Sequence, residues 1–271
     1  MSAPRRRRFW WYRRLSPWIT PDARHASMAY ADRLAGLVRP GVRWLDIGCG
    51  ATPLRGTIDP DLLARLAEEP AFSVGIDVQA RTLADNRTLD HTMLADGCRL
   101  PFIDGAFNLV TANMVLEHVA RPYDLLAEAR RVLSADGVFL AHTTNANAPM
   151  IAAAQLMPHA AVARLTNLIE GRQPVDVFPA YYRCNRPGDA KRLAVAAGFA
   201  NVRVDPLEDL PATKAWGPLV ALELGWQRVA RAEPLRAMQD NLLIELHCAS
   251  ERPATSPEPP ARPDPFAHYA A

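Results

Sequence analysis

The sequence predicts a doubly wound α/β fold, with a mostly parallel seven-stranded sheet and helices on both faces. Three observations carry that expectation. Short apolar runs alternate with helical patterns from residue 42 onward. The first run leads into a turn with two glycines, WLDIGCGATP at residues 44–53. Acids then stand at Asp46, Asp77 and Asp96, near the carboxyl ends of successive runs, where open parallel sheets place their ligands.

The elements follow in order. Residues 22–38 carry Met28, Ala31, Leu34, Ala35 and Val38 on one side of a helix, which Pro40 and Gly41 stop. Residues 42–47 form a short apolar strand. Residues 59–69 read as a helix with Pro60 in its first turn. A strand at 72–78, a short helix at 80–86, a weaker strand at 91–94 and a strand at 107–112 come next. Residues 122–133 are an amphipathic helix whose Leu125, Leu126, Ala129, Val132 and Leu133 share a face. The turn SADG leads into a fifth strand at 138–142. Strands separated by helices in this rhythm imply a parallel sheet covered on both sides.

The second half is less regular. Residues 148–170 read as two helices split near Pro158 and His159, and 176–187 as an aromatic loop. A helix at 188–197, a strand at 201–204, a helix at 216–232 and a last strand at 242–248 complete the sheet. The organisation is then an arm and helix (1–40), one domain (41–250) with lid regions near 144–190 and 210–235, and a tail. Residues 251–271 are proline-rich enough to predict disorder.

Composition sets outer limits. A hydrophobic fraction of 49% can fill a core, and a net charge of +2 gives no general case for nucleic acid. The charge is uneven, however. Residues 1–14 hold six arginines and no acid, interleaved with Phe9, Trp10, Trp11 and Tyr12. That arm has three readings: peripheral contact of residues 5–18 with an anionic membrane, a grip on RNA, or a cover over the ligand site. The cysteines at 49, 98, 184 and 248 lie far apart, so neither a metal site nor a disulfide framework is expected. No apolar run is long enough to span a bilayer, and aromatics and Pro17 stand where a signal peptide needs an apolar core. The chain reads as reduced and cytoplasmic, at most peripheral at the inner membrane face.

The glycine turn narrows the ligand. Glycines let backbone approach a ligand while N–H groups point at it. A dinucleotide loop needs glycine where Pro53 stands, and Asp46, two residues before Gly48, would repel a diphosphate. The same acid suits a positively charged ligand. LDIGCG resembles the first motif of the class I S-adenosylmethionine-dependent methyltransferases, whose usual third glycine falls on Thr52. Three later segments also resemble that family: VGID at 74–77, ADG at 95–97, and LPFIDGAFNLVTANMVLEHV at 100–119, where Asn108 replaces a commoner aspartate.

The resemblance implies a Rossmann-like fold and S-adenosyl-L-methionine as cofactor. It implies that Asp77 accepts from the ribose hydroxyls and Asp96 from the adenine amino group. Asp46, Gly48, Cys49, Gly50, Val78, Gly97 and Asn113 complete the expected cofactor set. Asp46 could instead cap its turn, and Asp77 and Asp96 could be solvated loop acids. His118 and His142 are candidate bases, with a packed or capping histidine as the alternative for each. Tyr181, Tyr182, Arg183 and Asn185 combine rings with hydrogen-bonding groups and are the candidate acceptor residues. The expected acceptor is a small molecule, a glycan or a lipid-linked intermediate. RNA methylation through the arm, a dinucleotide-dependent oxidoreductase and a non-catalytic binding module are the alternatives. Oligomeric state is open.

Overall fold

The computed structural model describes residues 10–54, 60–157, 179–211 and 219–249. Residues 5–9 of the arm, the second lid helix, the first three residues of the aromatic loop, the start of the 216–232 helix and the proline-rich tail lie outside them. The described elements are α1 (Trp10–Ile19), α2 (Ala26–Leu37), β1 (Arg43–Ile47), α3 (Pro60–Glu68), β2 (Phe72–Asp77), α4 (Ala80–Leu83), β3 (His91–Leu94), β4 (Phe107–Asn113), α5 (Pro122–Val132), β5 (Leu133–Thr144), α6 (Pro149–Gln155), α7 (Pro187–Ala196), β6 (Asn201–Leu207), α8 (Leu219–Val229) and β7 (Asn241–His247). Single 3₁₀ turns stand at Leu116–His118 and Leu235–Met238.

The strands form one seven-stranded sheet in the order β3-β2-β1-β4-β5-β7-β6. Pairings from β3 to β5 are parallel, while β7 runs antiparallel to both β5 and β6. The expected architecture is therefore present. Two local expectations change. The basic–aromatic arm is helical over Trp10–Ile19 despite Pro17. β5 starts at Leu133, straight from α5, because Leu133 pairs with Phe107 before a register shift brings Val138 opposite Leu109.

The period-two alternation of buried strands sorts side chains between two cores. Leu45, Ile47, Val110, Ala112, Phe139 and Ala141 face one cluster, which α5 and α7 cover. Trp44, Leu109 and Leu140 face the other, with Tyr30 and Leu34 of α2, its C-cap Val38 and Leu66 of α3. On α5, Leu125, Leu126, Ala129 and Val132 are all buried, each leucine contributing roughly 1.5–3 kcal/mol on transfer from water. The LPFID segment is fixed by Arg131, whose guanidinium donates to the Leu100 and Phe102 carbonyls at 3.0 and 2.6 Å. Arg131 also pairs with Glu128 and Asp104.

Asn108 ties β4 to its neighbours on both sides. Its Oδ1 accepts from the Arg43 N–H at 3.1 Å, and its Nδ2 reaches Ser134 Oγ at 3.3 Å.

Candidate functional site

The carboxyl ends of β1, β2 and β4 meet at one edge of the sheet. The chain leaves β1 through Gly48, whose φ is +68°, and a Cβ there would lie 2.4 Å from Val115 Cγ2. Only glycine tolerates both the left-handed backbone and the contact. The Gly48 and Cys49 N–H groups both donate to the Ile76 carbonyl, at 2.7 and 3.0 Å, drawing the turn against β2. Gly50 is also left-handed, at +49°, and its N–H donates to Asp77 Oδ2 at 3.0 Å. Among described residues, left-handed φ outside glycine occurs at Met114 and Tyr182 alone. Thr52 therefore needs no glycine's freedom, which accounts for the altered motif.

A cleft of about 270 Å³ opens beside this turn. Its apolar walls include Ile47, Ile76, Val115, Val119 and Leu125, and Gly48, Val78 and Gly97 also line it. Asp77 and Asp96 both line it, together with His118 and Arg121. Asp77 Oδ1 accepts from the Gln79 N–H at 2.8 Å, so both its oxygens are oriented by backbone donors. Each keeps acceptor capacity for a ligand. Asp96 is exposed, and its Oδ1 accepts from the Cys98 N–H at 2.9 Å. Gly97 is required for packing, since a Cβ would meet Ile47 Cγ2 at 2.8 Å.

Several expected residues do not reach this cleft. Asp46 is buried on the α2 side of β1, where Thr111 Oγ1 donates to its Oδ1. Its influence on the site is electrostatic: after burial itself, Asp46 is the leading cause holding the Cys49 thiol well above its ordinary range. Cys49 is buried, and its Sγ occupies the space above Gly75. Asn113 lies on the face of β4 shared with Thr111. Its Nδ2 donates to the Pro53 carbonyl at 3.0 Å, and its Oδ1 lies 2.9 Å from His142 Nδ1. It fastens the loop and its amide is spent there.

His142 is corrected more sharply. Strand alternation puts it on the same side as Leu140, only 2% exposed and stacked on Tyr30 at 5.9 Å between ring centroids. Burial lowers its pKa to about 4, so the ring is neutral at pH 7. It is a core histidine and is not among the residues that line the cleft.

His118 behaves differently. It lines the cleft, and its Nδ1 lies 2.9 Å from the Pro179 carbonyl. A carbonyl only accepts, so Nδ1 carries the hydrogen and the neutral ring holds its lone pair on Nε2.

The segment holding the four candidate acceptor residues is tied to the same loop. The Tyr181 and Tyr182 N–H groups donate to the Glu117 carbonyl at 2.7 and 3.3 Å. Arg183 donates to the Ala120 carbonyl at 2.7 Å and lies over the Tyr181 ring at 5.6 Å. Tyr181 is exposed, whereas Tyr182 is half-buried and its phenol pKa is raised, first by burial and then by Glu117. Asn185 is fully buried, and its Nδ2 donates to Thr143 Oγ1 and the Thr144 carbonyl at 2.7 and 3.0 Å. It anchors the segment from within. Thr143 in turn donates to the buried Glu117 Oε2 at 2.7 Å.

Met114, Val115, Val119 and Arg121 help shape this region and were not picked out from sequence. Met114 stands at φ +57° directly after β4, a conformation costly for a side chain and typical of functional turns. Methionine gives no signal for it.

Three comparisons bear on this geometry. A family model described as a methyltransferase domain matches residues 45–141. An uncharacterized 37.1 kDa protein in a transposon of Streptomyces fradiae is 38% identical over 105 residues, 36% of this chain and 29% of that protein. The aligned stretch thus spans less than a third of that relative. Among solved structures, an S-adenosylmethionine-dependent methyltransferase from Mesorhizobium loti superposes with a TM-score of 0.54 at 18% identity, covering 82% of this chain and 97% of the other. A phosphoethanolamine N-methyltransferase 2 from Haemonchus contortus, in complex with S-adenosyl-L-methionine, gives 0.52 at 14% identity over 82% of this chain and 52% of that one. These two structures share the fold. The matched segment, residues 45–141, is also the one that builds the glycine turn, the two cleft acids and the loop after β4, and over it the chain is similar to a methyltransferase domain.

Proposed function

We propose that this chain binds S-adenosylmethionine in the β1–β2–β4 cleft and transfers its methyl group to a small-molecule, glycan or lipid-linked acceptor. One observation carries the reading. Asp77 and Asp96, at the ends of neighbouring strands, line a single apolar cleft beside the glycine turn. The fit to an adenosyl group is chemical: carboxylates accept from hydroxyl and amino groups, and aliphatic walls take a flat ring. Asp77 is assigned to the ribose and Asp96 to the adenine amino group. Gly48 and Gly50 let the backbone come close, and Asp46 supplies negative potential behind the turn.

S-adenosylmethionine supplies, when bound, a methyl group on a sulfonium that is already a good leaving group. The residues of the chain then have to align an acceptor and exclude water. His118, with Nε2 as the basic nitrogen, is assigned to take a proton from an acceptor that must lose one. Tyr181 and Arg183, held to the 116–121 loop, are assigned to orient the acceptor, with Tyr182 and Asn185 fixing the segment that carries them.

Incubation with methyl-labelled S-adenosylmethionine and fractionated extracts of the source cells tests the reading. Label is expected in a lipid, glycan or small-molecule fraction. Label confined to RNA, or donor binding without any transfer, would overturn the acceptor assignment.

A further inference from the structure

We propose that the outward face of α1, with its Arg13 and Arg14, docks the protein on an anionic bilayer surface. The proposal is independent of the methyl-transfer reading. It rests on an inversion in how α1 is seated. Tyr12, Leu15, Ser16 and Ile19 recur at helical spacing and are half-buried, and α1 packs against α8. The largest apolar side chains point elsewhere: Trp10, Trp11 and Trp18 are 48%, 41% and 86% exposed. A helix stabilised only by packing turns such rings inward, since each can bury about 150–250 Å².

In sequence, the charge beside these rings has one sign. Residues 1–19 contain six arginines and no acid. Arg13 and Arg14 are exposed on α1 itself, and the Arg14 guanidinium lies over the Trp10 ring at 5.3 Å. The neighbouring helix α8 adds an aliphatic stripe, with Leu219, Leu222 and Val229 exposed by 50%, 73% and 52%.

That combination selects among occupants. A symmetric dimer through this face would set the arginine cluster against its own copy, a like-charge contact. Single-stranded RNA would use arginine and tryptophan but has no use for the aliphatic stripe. An anionic bilayer uses all three: phosphates for the arginines, the headgroup level for the indoles, and the acyl boundary for the leucines.

The test is sedimentation of the full chain with phosphatidylcholine vesicles, with and without phosphatidylglycerol, at low and high salt. Binding to the mixed vesicles is expected to be at least about tenfold tighter than to phosphatidylcholine alone, and to weaken with salt. A W11A/W18A variant is expected to lose about tenfold more, and R13E/R14E at least as much. Thermal melts of both variants, measured in parallel, should match wild type and show that they are folded. Equal binding to the two vesicle types, or binding unchanged in W11A/W18A, would overturn the proposal. So would a tryptophan-dependent preference for RNA, or a tryptophan-dependent dimer in sedimentation velocity.

Discussion

The Gly50 N–H donates to Asp77 Oδ2 at 3.0 Å, so the acid closing β2 is fastened to the turn closing β1. The residue assigned to the ribose therefore has two roles, one toward the ligand and one within the loop. Asp77→Ala should lower S-adenosylmethionine affinity by at least about thirtyfold, since hydrogen bonds to a charged group contribute about 1.5–3 kcal/mol each. Calorimetry measures this, with a thermal melt to check folding. Unchanged affinity would remove Asp77 from the donor site.

Gly48 offers a structural test of the same turn. Gly48→Ala combines a φ of +68° with a Cβ 2.4 Å from Val115 Cγ2, and should destabilise the fold by roughly 1–3 kcal/mol while weakening donor binding. Trimming the partner relieves the contact but not the backbone strain. In a double-mutant cycle, Val115→Ala should recover part of the loss, with coupling above about 0.5 kcal/mol. Strict additivity would show that the contact is not felt.

His118 separates binding from chemistry. If its Nε2 takes the acceptor proton, His118→Gln should reduce kcat by about 10²–10⁴ and leave donor affinity intact. An equal fall in donor affinity would identify it as a wall of the cleft. A variant with full activity would show that the acceptor needs no base there.

His142 should reveal itself in stability. Burial lowers its pKa to about 4 from the ordinary 6.5, so between those values the unfolded chain holds a proton that the folded one lacks. Stability from this group is complete above about pH 6.5 and falls as pH drops toward 4. The loss amounts to roughly 2–3 kcal/mol by about pH 4.5. Asp240 works in the opposite sense: burial raises its carboxyl to about 6, which favours the fold as pH falls through 6 toward 4. The wild-type profile alone is thus nearly balanced. Subtracting the urea-denaturation profile of His142→Phe isolates the histidine, and parallel profiles for the two proteins would contradict its burial as a neutral ring.

The sheet was legible because buried parallel strands read as apolar runs, and the cleft acids because they stand where those runs end. Thr52 and Asn108, the two departures from the family pattern, also had physical answers: an ordinary φ at one, and at the other an amide that bonds to Arg43 and Ser134. Which way the strand-end residues face was harder. Asn113 and His142 sit beside the expected site in sequence, yet a one-residue step along a strand moves a side chain to the opposite core. Counting outward from Leu140 would have placed His142 correctly. Nothing comparable marks Asn185, whose burial depends on Thr143 and Thr144, some forty residues earlier in the chain. The helical form of α1 was hidden by Pro17, a residue that usually breaks a helix.

The central claim is that this cleft takes an adenosyl sulfonium donor. Isothermal titration of the full chain with S-adenosylmethionine, beside a nicotinamide dinucleotide, tests it most directly. The account predicts saturable binding of one equivalent of S-adenosylmethionine, weakened by both Asp77→Ala and Asp96→Ala, and no binding of the dinucleotide. Dinucleotide binding, or failure of S-adenosylmethionine to bind the folded wild-type chain, would contradict it.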